Sequence, residues 1–300
     1  GFASGAGIPT GLLSALDTAL WDITAKRAGL SLSNLLGGRF REDAPVYASL
    51  QSYREDYADA IEWILKLVEQ ALAHGFRQAK IKIGGLSIDD DIECIAQVKQ
   101  LMSRQAGMYE LPLAVDSNCT HSLEQAIRIG RALDAEGGIA WFEEPLPRAD
   151  IAGYRLLRSK IDIPIAGAEG CETVGQVYEL MRHEALDLVQ PDMQALGGLT
   201  TLLRAGHAID LMNLHSYQHC YFGCLERVVG LHLIAATPPW GSGRRGYESA
   251  SLEWETAYFP ARDELLTSPL TPNAEGNIPV PDGLGLGIDI DRDTLENYRL

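Results

Sequence analysis

The sequence contains no run of 18 or more apolar residues, which excludes a transmembrane helix. Positive charge is scarce. Against 41 Asp and Glu stand 25 Lys and Arg, a formal net charge of −16. That balance repels nucleic acid and anionic membrane and excludes both as natural partners. An anionic ligand would need positive charge supplied locally, by a metal ion or by lysines that sit together. Cysteine is sparse: Cys94, Cys119, Cys171, Cys220 and Cys224 are odd in number and scattered, unlike a zinc ribbon or a disulfide scaffold. No basic-then-apolar leader opens the sequence. These features together predict a soluble protein of a reducing, cytoplasmic compartment. Low-complexity linkers are also missing.

What is present is 46% hydrophobic content over 300 residues, enough for a large core. Thr10 caps an expected helix with apolar positions at Leu13, Leu16, Leu20 and Ile23, closing near Gly29. Short apolar stretches then alternate with amphipathic ones. Strands are expected at residues 46–49, 79–84, 113–116, 139–143, 164–169, 186–190 and 211–214. Helices are expected between them, ending with a long apolar one over 225–236. This rhythm predicts βαβ units closed into a (β/α)8 TIM-type barrel over residues 41–250, with residues 1–40 as a helical lead-in. The stretch from Asn277 to Gly287 carries too much Pro and Gly for barrel strand or helix, so residues 251–300 are expected to pack outside.

Within the second strand, Lys80 and Lys82 point the same way because side chains two apart share a face. Two adjacent ammonium groups are tolerable only opposite negative charge, or where one works as a neutral amine. Ionisable residues also follow several other strands. Lys82, Asp116, Glu143, Glu169, Asp192 and His219 are separated by 34, 27, 26, 23 and 27 residues, close to one βα unit each. Parallel strands would bring all six to the C-terminal mouth of a barrel, where such folds build their sites. Asp116, Glu143 and Glu169 on consecutive strands can converge, and three converging carboxylates call for a hard cation; all-oxygen ligation suits Mg²⁺. Asn118 and Glu144 are expected to contact either these ligands or the substrate. Asp192 beside His219 would fix the tautomer of the imidazole and raise its basicity, as a general acid or base requires.

Lys80-x-Lys82, Val115-Asp116-Ser117-Asn118, Trp141-Phe142-Glu143-Glu144-Pro145, Ala166-Gly167-Ala168-Glu169, Gln190-Pro191-Asp192 with Gly197-Gly198, and His219 occur in an order that resembles the mandelate racemase subgroup of the enolase superfamily. Ala19-Leu20-Trp21-Asp22 and Pro281-Asp282-Gly283-Leu284-Gly285-Leu286-Gly287 extend the resemblance over nearly the whole chain. It implies Mg²⁺ on Asp116, Glu143 and Glu169, holding a substrate carboxylate and stabilising its enediolate. Lys82 would move the proton α to that carboxylate on one face, with Lys80 lowering its pKa, and the His219–Asp192 pair would serve the other face. It also implies an N-terminal α+β capping domain that is largely absent from this chain, and, as is common among such barrels, a homo-oligomer. Glu248 is assigned to the strand-eight, substrate-binding position, and His215 is a weaker rival to His219.

The expected activity is dehydration of a sugar acid to a 2-keto-3-deoxy acid, the commonest chemistry of the subgroup. A 2-hydroxy-acid racemase or epimerase would use the same residues, because both reactions begin with the same proton. A zinc hydrolase is suggested by His215-x-x-x-His219-Cys220, but the first strand has no His-x-His pair. A Schiff-base lyase would lack the carboxylate cluster. A non-catalytic binding protein would be expected to have lost one of these charged positions, and none is missing.

Overall fold

The structure is a computed structural model that describes residues 7–51, 60–105, 111–221, 223–238 and 251–298. The elements are α1 (Gly7–Ala28), α2 (Leu32–Leu35), β1 (Asp43–Leu50), α3 (Ala60–Ala73), β2 (Ala79–Lys82), α4 (Ile88–Gln105), β3 (Leu113–Asp116), α5 (Leu123–Glu136), β4 (Ile139–Glu143) and α6 (Ile151–Arg158). They continue with β5 (Ile165–Gly167), α7 (Val174–Arg182), β6 (Leu188–Val189), α8 (Leu199–Leu211), β7 (His215–Ser216), α9 (Cys224–Ala236), β8 (Leu252–Glu255), α10 (Pro260–Asp263), β9 (Asn277–Pro279) and α11 (Arg292–Asn297). Among the described residues no helix is long and apolar enough to cross a membrane.

The strands run parallel in the order β7-β6-β5-β4-β3-β2-β1-β8. A parallel bridge between Gln218 and Leu252 joins the chain beyond β7 to β8 and completes the circle. Two apolar clusters result. The larger packs the outer faces of the strands against the helices, with Val46, Ile81, Val115, Phe142, Ile165 and Val189 all buried in it. The smaller fills the barrel itself with Tyr47, Ala114, Trp141, Ala166 and Leu188. Its rings meet edge to face, Tyr47 against Trp141 at 5.1 Å and Trp141 against Tyr217 at 5.3 Å. Strand periodicity turns this inner layer into a map of the mouth. Two positions beyond Ala114 on β3 and Trp141 on β4 stand Asp116 and Glu143, and Lys82 on β2 pairs in register with Asp116, so the charged ring sits directly above the aromatic floor.

Helix starts follow capping rules. Ser122 with Gln125 opens α5 and Thr173 with Gln176 opens α7, each as a capping box. Other sequence expectations are corrected. Thr10 lies inside α1 rather than capping it. The apolar row of α1 faces away from the barrel: Leu13, Leu16, Leu20 and Ile23 are all more than half exposed. The helix docks instead through buried Ser14, Thr18 and Ala25. Asp17 and Trp21 add polar ties, both hydrogen-bonding Thr200 at the start of α8.

The expected seventh strand at 211–214 is displaced, because α8 runs to Leu211 and β7 begins at His215. Strand eight is Leu252–Glu255, paired with β1 and lying past the expected barrel limit of residue 250. Glu248 lies outside the described residues. The tail packs outside the barrel as expected. There β9 pairs antiparallel with the first residues of β1. Gly285 bridges Leu30 and Leu32 through its backbone, and a Cβ there would come within 2.1 Å of Asp22 Oδ1.

Candidate active site

Asp116 ends β3, Glu143 ends β4, and Glu169 stands two residues beyond β5; all three are buried, with candidate donor atoms within 4.8 Å of one another. Among the described residues they are the group that gathers as a metal-ligating cluster, and His215 with Cys220 does not join His219 in another. Around them lies the positive charge the composition made scarce. Lys80, fully buried, hydrogen-bonds Glu143 and lies 2.8 Å from Glu253 Oε1 and 3.4 Å from Asp116 Oδ2. Lys82 hydrogen-bonds Asp116 Oδ2. The two lysines therefore face carboxylates, the condition their repulsion imposed.

Each carboxylate is held from several elements. Trp141 Nε1 and Gln190 Nε2 donate to Glu143 Oε2 at 2.9 and 2.6 Å. The Asn118 backbone donates to Asp116 Oδ1 at 2.9 Å, from a left-handed conformation with φ 43°. Asn118 is thus brought against a cluster carboxylate, and Glu144 lies one residue beyond Glu143 with φ 38°. Asp192 Oδ2 meets His219 Nδ1 at 2.6 Å, and His219 Nε2 lies 3.2 Å from Glu169 Oε2 and 3.4 Å from Glu253 Oε2.

Glu253 stands on strand eight, a residue the sequence reading did not assign. It points inward between Lys80 and His219, and the alternation Leu252-Glu253-Trp254-Glu255 was the available signal for it. Gln190 and Arg148 are the other site residues that spacing did not assign. Gln190 sits in a noted motif, and Arg148 lies one helical turn's length past Glu144.

Burial dominates the electrostatics. It drives the Glu143 carboxyl up to about 8, with Asp116 adding to the rise and Lys80 opposing it. Glu169 goes up to about 7, again through burial, with His219 opposing and Glu144 and Asp116 adding. For Asp116 burial is outweighed by Lys82 and Lys80, which hold it below the usual carboxylate range. Glu253 is likewise pulled down to about 2 against its burial, by Lys80, His219 and Lys82. The expectation that Lys80 depresses Lys82 is right in sign but not in outcome. Burial and Lys80 lower Lys82, yet Asp116, Glu169 and Glu253 raise it more, and the amine stands above its ordinary value. His219 is disfavoured as a cation by burial but raised overall by Glu253, Glu169 and Asp192.

Three buried carboxylates, two of them pushed toward neutrality, fit a hard divalent cation, and Glu169 Oε2 makes no hydrogen bond that would compete for it. Family comparison agrees. A family model described as enolase C-terminal domain-like matches residues 63–294. The chain belongs to the enolase superfamily. Within it, a model of the mandelate racemase / muconate lactonizing enzyme N-terminal domain matches residues 10–37, which places the chain in that family.

Relatives in the mandelate racemase / muconate lactonizing enzyme family include D-galactarolactone cycloisomerase of Agrobacterium fabrum, 31% identical over 98% of this chain and 75% of that protein. Arabinonate dehydratase of Saccharolobus solfataricus is 30% identical over 98% of this chain and 73% of its own length. Among solved structures, L-talarate dehydratase from Polaromonas sp. JS666, complexed with Mg and L-glucarate, superposes with a TM-score of 0.79 at 26% identity, covering 97% of this chain and 73% of that one.

Proposed function

We propose that this protein abstracts the proton α to a carboxylate in a Mg²⁺-dependent reaction, and that the reaction is dehydration of a sugar acid to a 2-keto-3-deoxy acid. One observation carries the reading: the two groups able to move protons, Lys82 from β2 and His219 from beyond β7, each reach a different carboxylate of one cluster. Asp116, Glu143 and Glu169 would hold the ion. When bound, Mg²⁺ supplies the positive charge that an α-proton needs to become acidic enough for an amine, and offsets the carboxylates that raise Lys82.

Lys82 takes the proton from C2 as the neutral base, a form that its burial and Lys80 both favour. The electron pair left at C2 forms the double bond to C3, and the C3–O bond breaks. His219, oriented by Asp192, gives its proton to the departing hydroxyl, which leaves as water. The enol then tautomerises to the 2-keto acid. Glu253, between Lys80 and His219, would border the bound substrate. The names of the dehydratase and cycloisomerase relatives, with arabinonate and galactarolactone in them, support a sugar acid as substrate. Five free cysteines, four of them buried, support a reducing, cytoplasmic location.

The test is turnover of a sugar-acid library in D₂O with Mg²⁺. A dehydratase yields a 2-keto acid with deuterium at C3. Deuterium at C2 of recovered substrate and its epimer, with no keto acid, would instead establish a racemase or epimerase using the same pair. In the dehydratase, Lys82→Ala stops C2 exchange, whereas His219→Asn permits exchange and blocks loss of the hydroxyl. Exchange untouched by either substitution would remove both residues from the mechanism.

A further inference from the structure

Glu143 and Glu144 are adjacent buried carboxylates, yet only Glu143 turns into the cluster. We infer that Arg148 is the positioning residue that decides this: it fixes the rotamer of Glu169 for Mg²⁺ and withholds Glu144 from the ligand set. This rests on the Mg²⁺ reading of the triad.

Arg148 Nε donates to Glu144 Oε1 at 2.6 Å, and its Nη2 donates both to Glu144 Oε2 at 2.9 Å and to Glu169 Oε1 at 2.6 Å. The fork occupies both oxygens of Glu144 and one of Glu169. The other oxygen of Glu169, Oε2, is left without a hydrogen bond on the side of the cluster and His219. Glu144 is further pinned through its backbone. Its carbonyl accepts from Ser117 Oγ at 2.9 Å and from the Cys119 amide at 2.7 Å, and its left-handed φ of 38° turns the chain away from the strand.

The guanidinium has a seat of its own. A Cβ on Gly170 would lie 2.2 Å from Arg148 Nη1 and 2.6 Å from Cζ, so only glycine beside Glu169 lets the side chain lie there. Arg148 also borders an open cavity of about 360 Å³ with Tyr154, Cys171, Leu180 and Leu186, and its side chain is 41% exposed. Its truncation therefore opens onto solvent instead of leaving a sealed void.

Removing Arg148 alone would mix two effects, since a lost cation favours Mg²⁺ electrostatically while a freed Glu169 disfavours it. The paired change Arg148→Met with Glu144→Gln removes one charge of each sign. Gly170→Ala changes no charge and displaces the Arg148 side chain from Cδ outward. Mg²⁺ titrated calorimetrically into metal-free wild type and both variants should show dissociation constants raised tenfold to a hundredfold in each variant, the range seen when groups orienting metal ligands are removed. Turnover should recover at higher Mg²⁺, and unfolding temperatures in chelator should stay near wild type. If wild type binds Mg²⁺ and both variants bind it within twofold of wild type, Arg148 is a structural counter-ion only and the inference falls. If wild type itself takes up no Mg²⁺, the metal reading falls and takes the inference with it. Should one variant misfold in chelator, the other decides.

Discussion

Asp192 Oδ2 lies 2.6 Å from His219 Nδ1, and the two residues also pair through their backbones in a parallel bridge that prolongs β6 and β7. An ionised carboxylate only accepts, so Nδ1–H donates to it and Nε2 is the nitrogen presented to the cluster. Asp192→Asn removes that preference. Turnover is expected to fall by roughly 10²–10⁴, the usual worth of a positioned acid or base, while C2 exchange with solvent continues. Proton NMR of the substrate in D₂O alongside a keto-acid assay separates the two effects. An unchanged turnover number would take the pair out of the reaction.

Glu169 contributes a buried carboxylate to the cluster without itself belonging to a strand. Glu169→Gln should abolish turnover and the thermal stabilisation by Mg²⁺. Wild type at a hundredfold excess of Mg²⁺ over its dissociation constant should gain about 2.7 kcal/mol, because the ion binds only the folded state. Melting curves in MgCl₂ and in NaCl of equal ionic strength make the comparison. Equal curves for the wild type would count against the site.

The raised carboxyls give this stabilisation a pH dependence. Glu143 and Glu169 move from an ordinary 4.5 to about 8 and about 7, so between these values the folded metal-free protein holds protons that the unfolded chain has released. Their contribution favours folding at low pH and is lost as pH rises through the folded values. Mg²⁺ must displace those protons. Its affinity should therefore increase from pH 6 to pH 8, and its binding heat at pH 6 should vary with the ionisation enthalpy of the buffer. A heat independent of buffer would contradict the shifts.

Glu253 lies 2.8 Å from Lys80 Nζ and 3.4 Å from His219 Nε2. Glu253→Gln leaves a buried lysine with two carboxylates instead of three. The loss of stability should fall at or below the lower end of the roughly 3–5 kcal/mol measured when one member of a buried ion pair is removed, since Lys80 keeps Glu143 and Asp116. Urea unfolding at constant m value measures it. Turnover should fall as well, and a variant as stable and as active as wild type would show that Glu253 neither balances Lys80 nor meets substrate.

The barrel and most of its mouth were determined by the sequence alone. Residues two apart on a strand share a face, and one βα unit recurs at nearly constant length, so spacing suffices to bring Lys82, Asp116, Glu143, Glu169, Asp192 and His219 to one rim. The tertiary structure decided what depends on neighbours remote in the chain. Glu253 enters the site from a strand eight that is located by its pairing with β1, and the preceding Gly- and Arg-rich stretch carries no periodicity from which to count to it. The apolar row of α1 is a genuine helical stripe, yet its polar ties to Thr200 and Leu286 set which side meets the barrel. The ionisation of Lys82 reverses the expectation from its neighbour Lys80, because a buried amine sums burial, one lysine and three carboxylates contributed by β3, β8 and the segment after β5. Arg148 could be assigned only once Gly170 and the second oxygen of Glu169 were placed beside it, since a hydrogen-bonded fork is a property of distances and no periodicity encodes it.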